Sequence, residues 1–169
     1  MRKDSGFSFV ELMTVIAILG ILAGIAIPSF ISWRANSQLS RASRDVYSSF
    51  QKAKIEAIRR NAVCAVKFRV NDILIYIEEE EPPYTYDGEI PISTIKWSDY
   101  PGIGLDTNEG GGFGVTFTNQ AIFFGSDGLP RNDTNGLVSG TVFLTNQDHT
   151  RKNTVEVTTA GNIRIKQAD

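Results

Sequence analysis

The sequence predicts an α+β protein, with one long N-terminal helix packed on a C-terminal antiparallel β head. Three observations carry this reading. Residues 12–27 read LMTVIAILGILAGIAI, with no charge and a single polar side chain, Thr14. Beyond them, apolar residues recur at helical spacing as far as Ala57. After Asn61 the period falls to two, the spacing of strands.

The apolar run comes first. Counted from Phe7 to Ile31 it has about the 20 residues that a bilayer-spanning helix needs. A core helix of a globular domain would carry a polar stripe, and this run has none. A basic head, Arg2 and Lys3, also opens secretory signals. Such signals end in small residues at the cleavage site, whereas this run ends in the bulky IAIPSFISW and passes straight into a helical pattern. The segment is therefore read as retained, with the N-terminus cytoplasmic and the rest of the chain across the membrane. Gly20 and Gly24 form a GxxxG pair, which permits close helix approach and is equally common as ordinary glycine in membrane helices. Pro28 removes one backbone donor and is expected to loosen the helix locally.

The stem follows. Leu39, Ala42, Val46, Phe50, Ala53 and Ala57 make one apolar face of an amphipathic helix. A helix from Phe7 to residue 60 would be on the order of 80 Å long at 1.5 Å per residue. From Arg34 to Arg60 there are seven Lys/Arg and two Asp/Glu, a net of +5. From Asn61 onward there are eight against fifteen, a net of −7. The basic face reads as solvated or as facing the acidic heads of neighbouring copies.

The head is read as strands at VCAVKFRV (63–70) and ILIYIE (73–78) around an Asn71-Asp72 turn. Further strands are read at FGVTFT (113–118) and AIFFG (121–125) around Asn119-Gln120. TVFLTN (141–146) follows, then TVEVTT (154–159) and NIRIKQ (162–167) around Ala160-Gly161. These hairpins predict an antiparallel β head with one side against the stem. Residues 79–112 are expected to form a long irregular surface loop with one short strand near 95–97. Glu78 to Glu81 read as a solvated acidic run. Cys64, the lone cysteine, is expected to be a buried apolar side chain.

No signature of catalysis stands out. His149 is the single histidine, in the polar turn QDHTRKN, without a partner motif. There is no phosphate-binding loop, dinucleotide fingerprint or zinc spacing. Asp127, Asp133 and Asn135 are oxygen donors without EF-hand spacing, in a stretch where turns favour the same residues. No cofactor and no metal are expected.

The N-terminus raises one question of chemistry. Glu11 sits inside the apolar run, where a charge costs roughly 2.5 kcal/mol or more and implies a function and a partner. Gly6-Phe7-Ser8-Phe9-Val10-Glu11, a short basic leader before it and an apolar run after it, resembles the signal of type IV pilins and pseudopilins. The resemblance implies cleavage by prepilin peptidase between Gly6 and Phe7, N-methylation of Phe7, and a pilin fold. It also implies that Glu11 pairs with the N-terminal amine of a neighbouring subunit. Both charges would then be neutralised inside a filament core, where either alone is costly.

The head resembles the GspH/FimT group of minor pseudopilins and minor pilins. The residues that carry this are QKAKIEAIRRNAVCAVKF at the helix-to-strand junction, FGSDGLPRN (124–132), GTVFLTN (140–146) and TVEVTTAGNIRIK (154–166). It implies a non-enzymatic filament subunit of a type II secretion system that initiates or caps a pseudopilus and helps protein export. The alternative is a type IV pilus minor pilin engaged in pilus assembly or DNA uptake. A third reading is a membrane-anchored periplasmic protein that never polymerises. The implied organisation is a leader (1–6), a membrane and filament-core helix (7–31), an amphipathic stem (32–61) and a periplasmic head (62–169) with the loop 79–112. Implied partners are other pilin-like subunits through the N-terminal helix, prepilin peptidase, the inner membrane and secreted cargo. Some FimT-like members bind DNA through a Gly-Arg-x-Arg end. Here Gly161-Asn162-Ile163-Arg164, with Lys166 beyond, lacks the first arginine. Arg164 and Lys166 are thus the candidate DNA contacts, and DNA is the disfavoured partner.

Overall fold

The computed structural model describes residues 8–168. Two compact units divide the chain, residues 1–35 and 36–169. One helix, α1 (Phe9–Arg60), belongs to both. Helical structure runs without interruption through Pro28. Thr14 Oγ1 donates to the Val10 carbonyl at 2.8 Å and Ser32 Oγ to that of Pro28 at 3.3 Å, each one turn back. These bonds satisfy the two hydroxyls within the helix itself.

In the first unit the helix is bare. Its large apolar side chains are exposed, from Phe9 (73%) to Trp33 (63%). A Cβ added at Gly20 or Gly24 would meet nothing within 4 Å. This helix is long and apolar enough to cross a membrane.

The second unit joins residues 36–60 of α1 to two antiparallel sheets. The first has the order β3-β2-β1-β5-β6, from β1 (Val63–Phe68), β2 (Asp72–Glu78), β3 (Ser93–Lys96), β5 (Ala121–Phe124) and β6 (Pro130–Arg131). The second has the order β4-β7-β8-β9, from β4 (Ile103–Leu105), β7 (Gly140–Asn146), β8 (Lys152–Val157) and β9 (Ile163–Ala168). β1 and β2 form the expected hairpin, with Val63 opposite Glu78 and Phe68 opposite Ile73. β8 and β9 form the other, with Val157 opposite Ile163.

All six apolar stem positions expected from the spacing are buried, together with Ser43 and Ser49. Ser43 Oγ donates to the Leu39 carbonyl at 2.8 Å and accepts from Asn153 Nδ2 of β8 at 2.9 Å, so helix and sheet share a satisfied polar contact. Phe50 is the centre of the core. Its ring lies 5.9, 6.0 and 6.3 Å from those of Phe68, Phe117 and Phe124. Such edge and tilted pairs add to area burial. Tyr100 Oη donates to Asp45 Oδ2 at 2.6 Å and lies under Arg41, which ties the strand-linking segment to the stem. The helix ends at Asn61, whose φ is +51°. Its N–H reaches Ile58 O at 3.3 Å and that of Ala62 reaches Ala57 O at 3.1 Å. This double bond pattern around a left-handed residue is a Schellman cap, and asparagine tolerates the position.

Three expectations need correction. Residues 113–118 form no strand paired across Asn119-Gln120. Only Val115 bridges, to Val142 of β7, and residues 118–120 make a single 3-10 turn. Gly110, Gly111, Gly112 and Gly114 all have positive φ, and a Cβ at Gly110 would lie 2.5 Å from the Val115 amide nitrogen. A chain turning so sharply cannot lie extended. β5 pairs with β1 and β6 instead.

The loop 79–112 holds the expected short strand, as β3, but also contributes β4, which was not expected. Its first part covers the outer face of the first sheet: the Tyr84 ring lies 4.9 Å from that of Phe123, and the Tyr86 ring 5.1 Å from that of Tyr76. With Ala65, Leu74 and Ala121 these make a second apolar cluster. Sheet one is thus buried on both faces, which is why β1, β2 and β5 read as near-continuous apolar runs. Third, Glu78 is buried rather than solvated. Cys64 is buried as expected, and burial pushes its thiol up to about 12, so it is inert at neutral pH.

Removing the Phe50 ring should leave a cavity that the surrounding rings cannot fill. Phe50→Ala is expected to cost about 3–5 kcal/mol. Thermal or denaturant unfolding of the full chain in non-ionic detergent, followed by circular dichroism, measures it.

Candidate functional sites

Glu11 lies in the first turn of α1. The helical ladder opens with Leu12 N–H donating to Ser8 O at 3.0 Å. Phe9, Val10, Leu12 and Met13 around it are exposed. No ion pair among the described residues involves Glu11. A carboxylate near a helix N-terminus is favoured by the unpaired amides there. That effect is smaller than the cost of an ion in hydrocarbon. Gly6 and Phe7, the other two residues of this candidate site, lie outside the described residues.

Arg164 and Lys166 are two residues apart on β9 and so share a face. Both are exposed, but they do not form a bare cationic pair. Glu156 of β8 is directly opposite Arg164 in the register. Lys166 Nζ lies 2.8 Å from the Glu156 carboxylate. The preceding turn serves the fold. Gly161 has φ +74°, and its carbonyl accepts from Lys54 Nζ of the stem at 3.0 Å. A Cβ there would lie 3.0 Å from Gly128 O and 3.1 Å from Lys54 Nζ, so glycine allows the turn to close on the helix.

The oxygen donors of the 127–135 turn are already engaged. Asp127 Oδ2 pairs with Arg131 Nη2 at 2.6 Å, and its Oδ1 accepts the Leu129 amide at 3.0 Å. That amide, with the Arg131 contact, outweighs burial and holds the Asp127 carboxyl below the usual aspartate range. Asp133 Oδ2 accepts from Asn119 Nδ2 at 2.9 Å, and the Asn135 carbonyl from Arg131 Nη1 at 3.1 Å. Among the described residues no three His, Cys, Asp or Glu side chains form a ready metal site.

One charged cluster was not legible in the sequence. Asp106, 0% exposed, follows β4. Lys152 Nζ lies 2.7 Å from its Oδ2, an ionic contact rather than a well-aimed hydrogen bond. The Asn108 amide donates to Oδ1 at 3.2 Å, and His149 Nδ1 is 3.3 Å away. His149 thus sits in the β7–β8 turn at φ +52°, beside a buried acid rather than a reacting group. Burial alone would raise the Asp106 carboxyl. The Lys152 ammonium and the Asn108 amide outweigh it and hold the group low.

An apolar crevice of about 520 Å³ opens beside β4, lined by Phe68, Val70, Trp97, Leu105 and Phe113 among others. Arg69 is its single charged member, held by Asp72 at 2.6 Å. It offers mainly apolar contact surface.

A bare apolar helix with an early carboxylate, continuing into a stem packed on antiparallel sheets, defines a type IV pilin-like fold. Residues 1–27 match the prokaryotic N-terminal methylation motif. Residues 42–161 match the type II transport protein GspH family, and the chain belongs to that family.

Relatives match mainly in part. A fimbrial protein of Pseudomonas aeruginosa is 45% identical over 58 residues, covering 34% of this chain and 37% of that protein. The type IV major pilin protein PilA of Myxococcus xanthus is 44% identical over 52 residues, covering 31% and 24%. The chain thus spans well under half the length of these curated relatives. Two solved structures share the fold at low identity. The minor pseudopilin EpsH of the Vibrio cholerae type 2 secretion system has a TM-score of 0.54 at 12% identity, covering 77% of this chain and 97% of that one. The type IV minor pilin FimU of Pseudomonas aeruginosa has 0.51 at 13%, with coverage of 77% and 97%.

The Asp106 pair makes a pH-dependent contribution of predictable sign. Its folded pKa lies below the unfolded value near 3.9. Its stabilisation is therefore complete above that value and drains away as pH falls through the lower folded one. Asp106→Asn should lower the melting temperature clearly at pH 6, and its gap from wild type should narrow below about pH 4.

Proposed function

We propose that the chain is a minor pseudopilin, a structural subunit that initiates or caps the short filament of a type II secretion system. In this reading prepilin peptidase removes residues 1–6 after Gly6, and Phe7 becomes the methylated N-terminus. Residues 7–31 first hold the chain in the inner membrane and then enter the filament core. Residues 32–61 carry the head, 62–169, in the periplasm, where it meets neighbouring subunits and secreted cargo. The chain is a substrate of the peptidase and not itself an enzyme.

The observation that carries the reading is the pairing of two features: a GspH-family head and an apolar helix that its own chain leaves uncovered. Helix association inside lipid gains little from hydrophobicity, because lipid is as apolar as the side chains. A buried charge pair supplies what apolar contact cannot. Glu11 of one subunit accepts from the α-amine of the next, and each would be costly alone.

A second reading, a minor pilin of a type IV pilus, is favoured by the fimbrial identity over 58 residues and by the FimU-like fold. Deleting the gene separates the two. Secretion substrates retained in the periplasm with surface pili intact support the first. Lost pili with normal secretion supports the second.

Glu11→Ala should leave membrane insertion unchanged while cutting incorporation into the filament at least about tenfold, the ratio of roughly 1.4 kcal/mol. Sheared-filament and membrane fractions probed for the chain give both numbers, and normal incorporation would refute the Glu11 pairing. For the DNA role, Glu156 already faces Arg164 and binds Lys166. Duplex DNA binding is therefore expected to be weak and unchanged in Arg164→Ala and Lys166→Ala. Affinity that falls steeply with salt and is lost in those variants would reverse that conclusion.

A further inference from the structure

Three buried oxygens under the loop that covers the first sheet have no hydrogen-bond partner: Tyr76 Oη, Glu78 Oε2 and Glu89 Oε1. Tyr76 is 0% exposed and Glu78 5%. They are two residues apart on β2 and project from the same face, the one that Tyr84 and Tyr86 cover. The remaining carboxylate oxygens are positioned by backbone amides. Glu78 Oε1 accepts from Glu80 N–H at 3.2 Å. Glu89 Oε2 accepts from the Asp87 and Gly88 amides at 3.2 and 3.3 Å. Both acids thus have one oxygen tied to backbone amides and one buried without a partner. A buried carboxylate oxygen without a donor is among the costlier arrangements a fold can contain.

Among the described residues no ion pair involves Glu78 or Glu89. Residues 71–95 contain seven Asp/Glu and no Lys or Arg. Arg69, at the edge, is taken by Asp72 at 2.6 and 2.7 Å and lies over the Tyr86 ring. Lys67 donates to the Asn119 carbonyl. The groups feel one another: burial, reinforced by the charge of Glu89, raises the Glu78 carboxyl against the Glu80 and Glu79 amides. Burial and the charges of Glu78 and Glu89 raise the Tyr76 phenol.

We propose that Glu78, Glu89 and Tyr76 form the protein side of a binding site for a calcium-class divalent cation beneath this loop. The donor set is all oxygen and hard, which selects Ca²⁺ or Mg²⁺ over softer metals. Cys64 is on the opposite face of the sheet, and His149 is in the β7–β8 turn. Two carboxylates fall one short of a three-acid cluster, and a phenol oxygen with loop carbonyls and water completes the shell. Ca²⁺ accepts roughly six to eight oxygens in irregular geometry, whereas Mg²⁺ demands a near-ideal octahedron. A bound Ca²⁺ neutralises both acids at once and pins residues 79–92 to β2. The site stands apart from Glu11 and from filament assembly, so its test is independent of the function proposed above.

The experiment uses the full chain in non-ionic detergent after chelator treatment. Ca²⁺ or Mg²⁺ is titrated while unfolding is followed by circular dichroism, and Tb³⁺ is titrated with excitation of tyrosine. Ca²⁺ is expected to raise the melting temperature by several degrees and Mg²⁺ much less, since a ligand that binds only the folded state stabilises it. Tb³⁺ emission sensitised by Tyr76 and Tyr86 should appear and be displaced by Ca²⁺. Glu78→Gln and Glu89→Gln should each weaken Ca²⁺ at least about tenfold, because affinity follows ligand charge. Without Ca²⁺, Glu78→Gln should melt no lower than wild type, since it removes a buried uncompensated charge, and this shows that the variant folds. The proposal is overturned if melting and emission ignore Ca²⁺. It is equally overturned if both variants respond as wild type does. A chain stabilised by acid alone, with no response to Ca²⁺, would mean that the two carboxyls share a proton instead.

Discussion

A carboxylate inside an apolar helix that its own chain leaves uncovered is the constraint around which this molecule is organised. The large apolar side chains from Phe9 to Trp33 are exposed. Their apolar surface must be taken from water by something else, and in the function proposed above this is first a bilayer and then other copies of the same helix. Both environments are hostile to Glu11 unless an opposite charge arrives with the partner. In the processing proposed above, a new α-amine at Phe7, four positions ahead of Glu11 in the sequence, would carry the opposite charge. The processing and assembly chemistry proposed for residues 6–11 thus reduces to one electrostatic requirement.

The second half of the helix obeys a different rule with the same backbone. From Leu39 onward it buries one face, and its polar groups are satisfied locally or by the sheets. Ser43 bridges to Asn153, Asp45 receives Tyr100, and Lys54 holds the Gly161 turn. These contacts come from two distant parts of the chain, the segment before β4 and the β8–β9 hairpin. Around Phe50 the aromatic cluster gathers β1, β5 and the segment before β5, so the stem serves as the keel of the head.

The parts legible in the sequence were those set by local pattern. The uncharged run, the three-and-four spacing of the stem, the hairpins around Asn71-Asp72 and Ala160-Gly161, and the residues 6–11 motif all lie within short windows. What escaped depends on long-range burial. β4 and β6 have three and two residues, too few for a period to register. Residues 113–118 alternate as a strand should, but glycines at positive φ before them turn the chain away. Asp106 looks like any loop acid until Lys152, 46 positions later, lies against it. Glu78 heads a run of four glutamates that reads as solvent-facing. Only the folding of Tyr84 and Tyr86 over the sheet makes it interior. The same covering explains why β1 and β2 lack a polar face although they are antiparallel.

The central claim is that residues 1–6 are removed so that a charged amine at Phe7 can answer Glu11. The intact mass of the chain isolated from its native membrane tests it most directly. The account predicts a chain that begins at Phe7 and is heavier by one CH2, the net gain when a methyl group replaces an amine hydrogen. A functional filament subunit that still carries Met1 through Gly6 would contradict it.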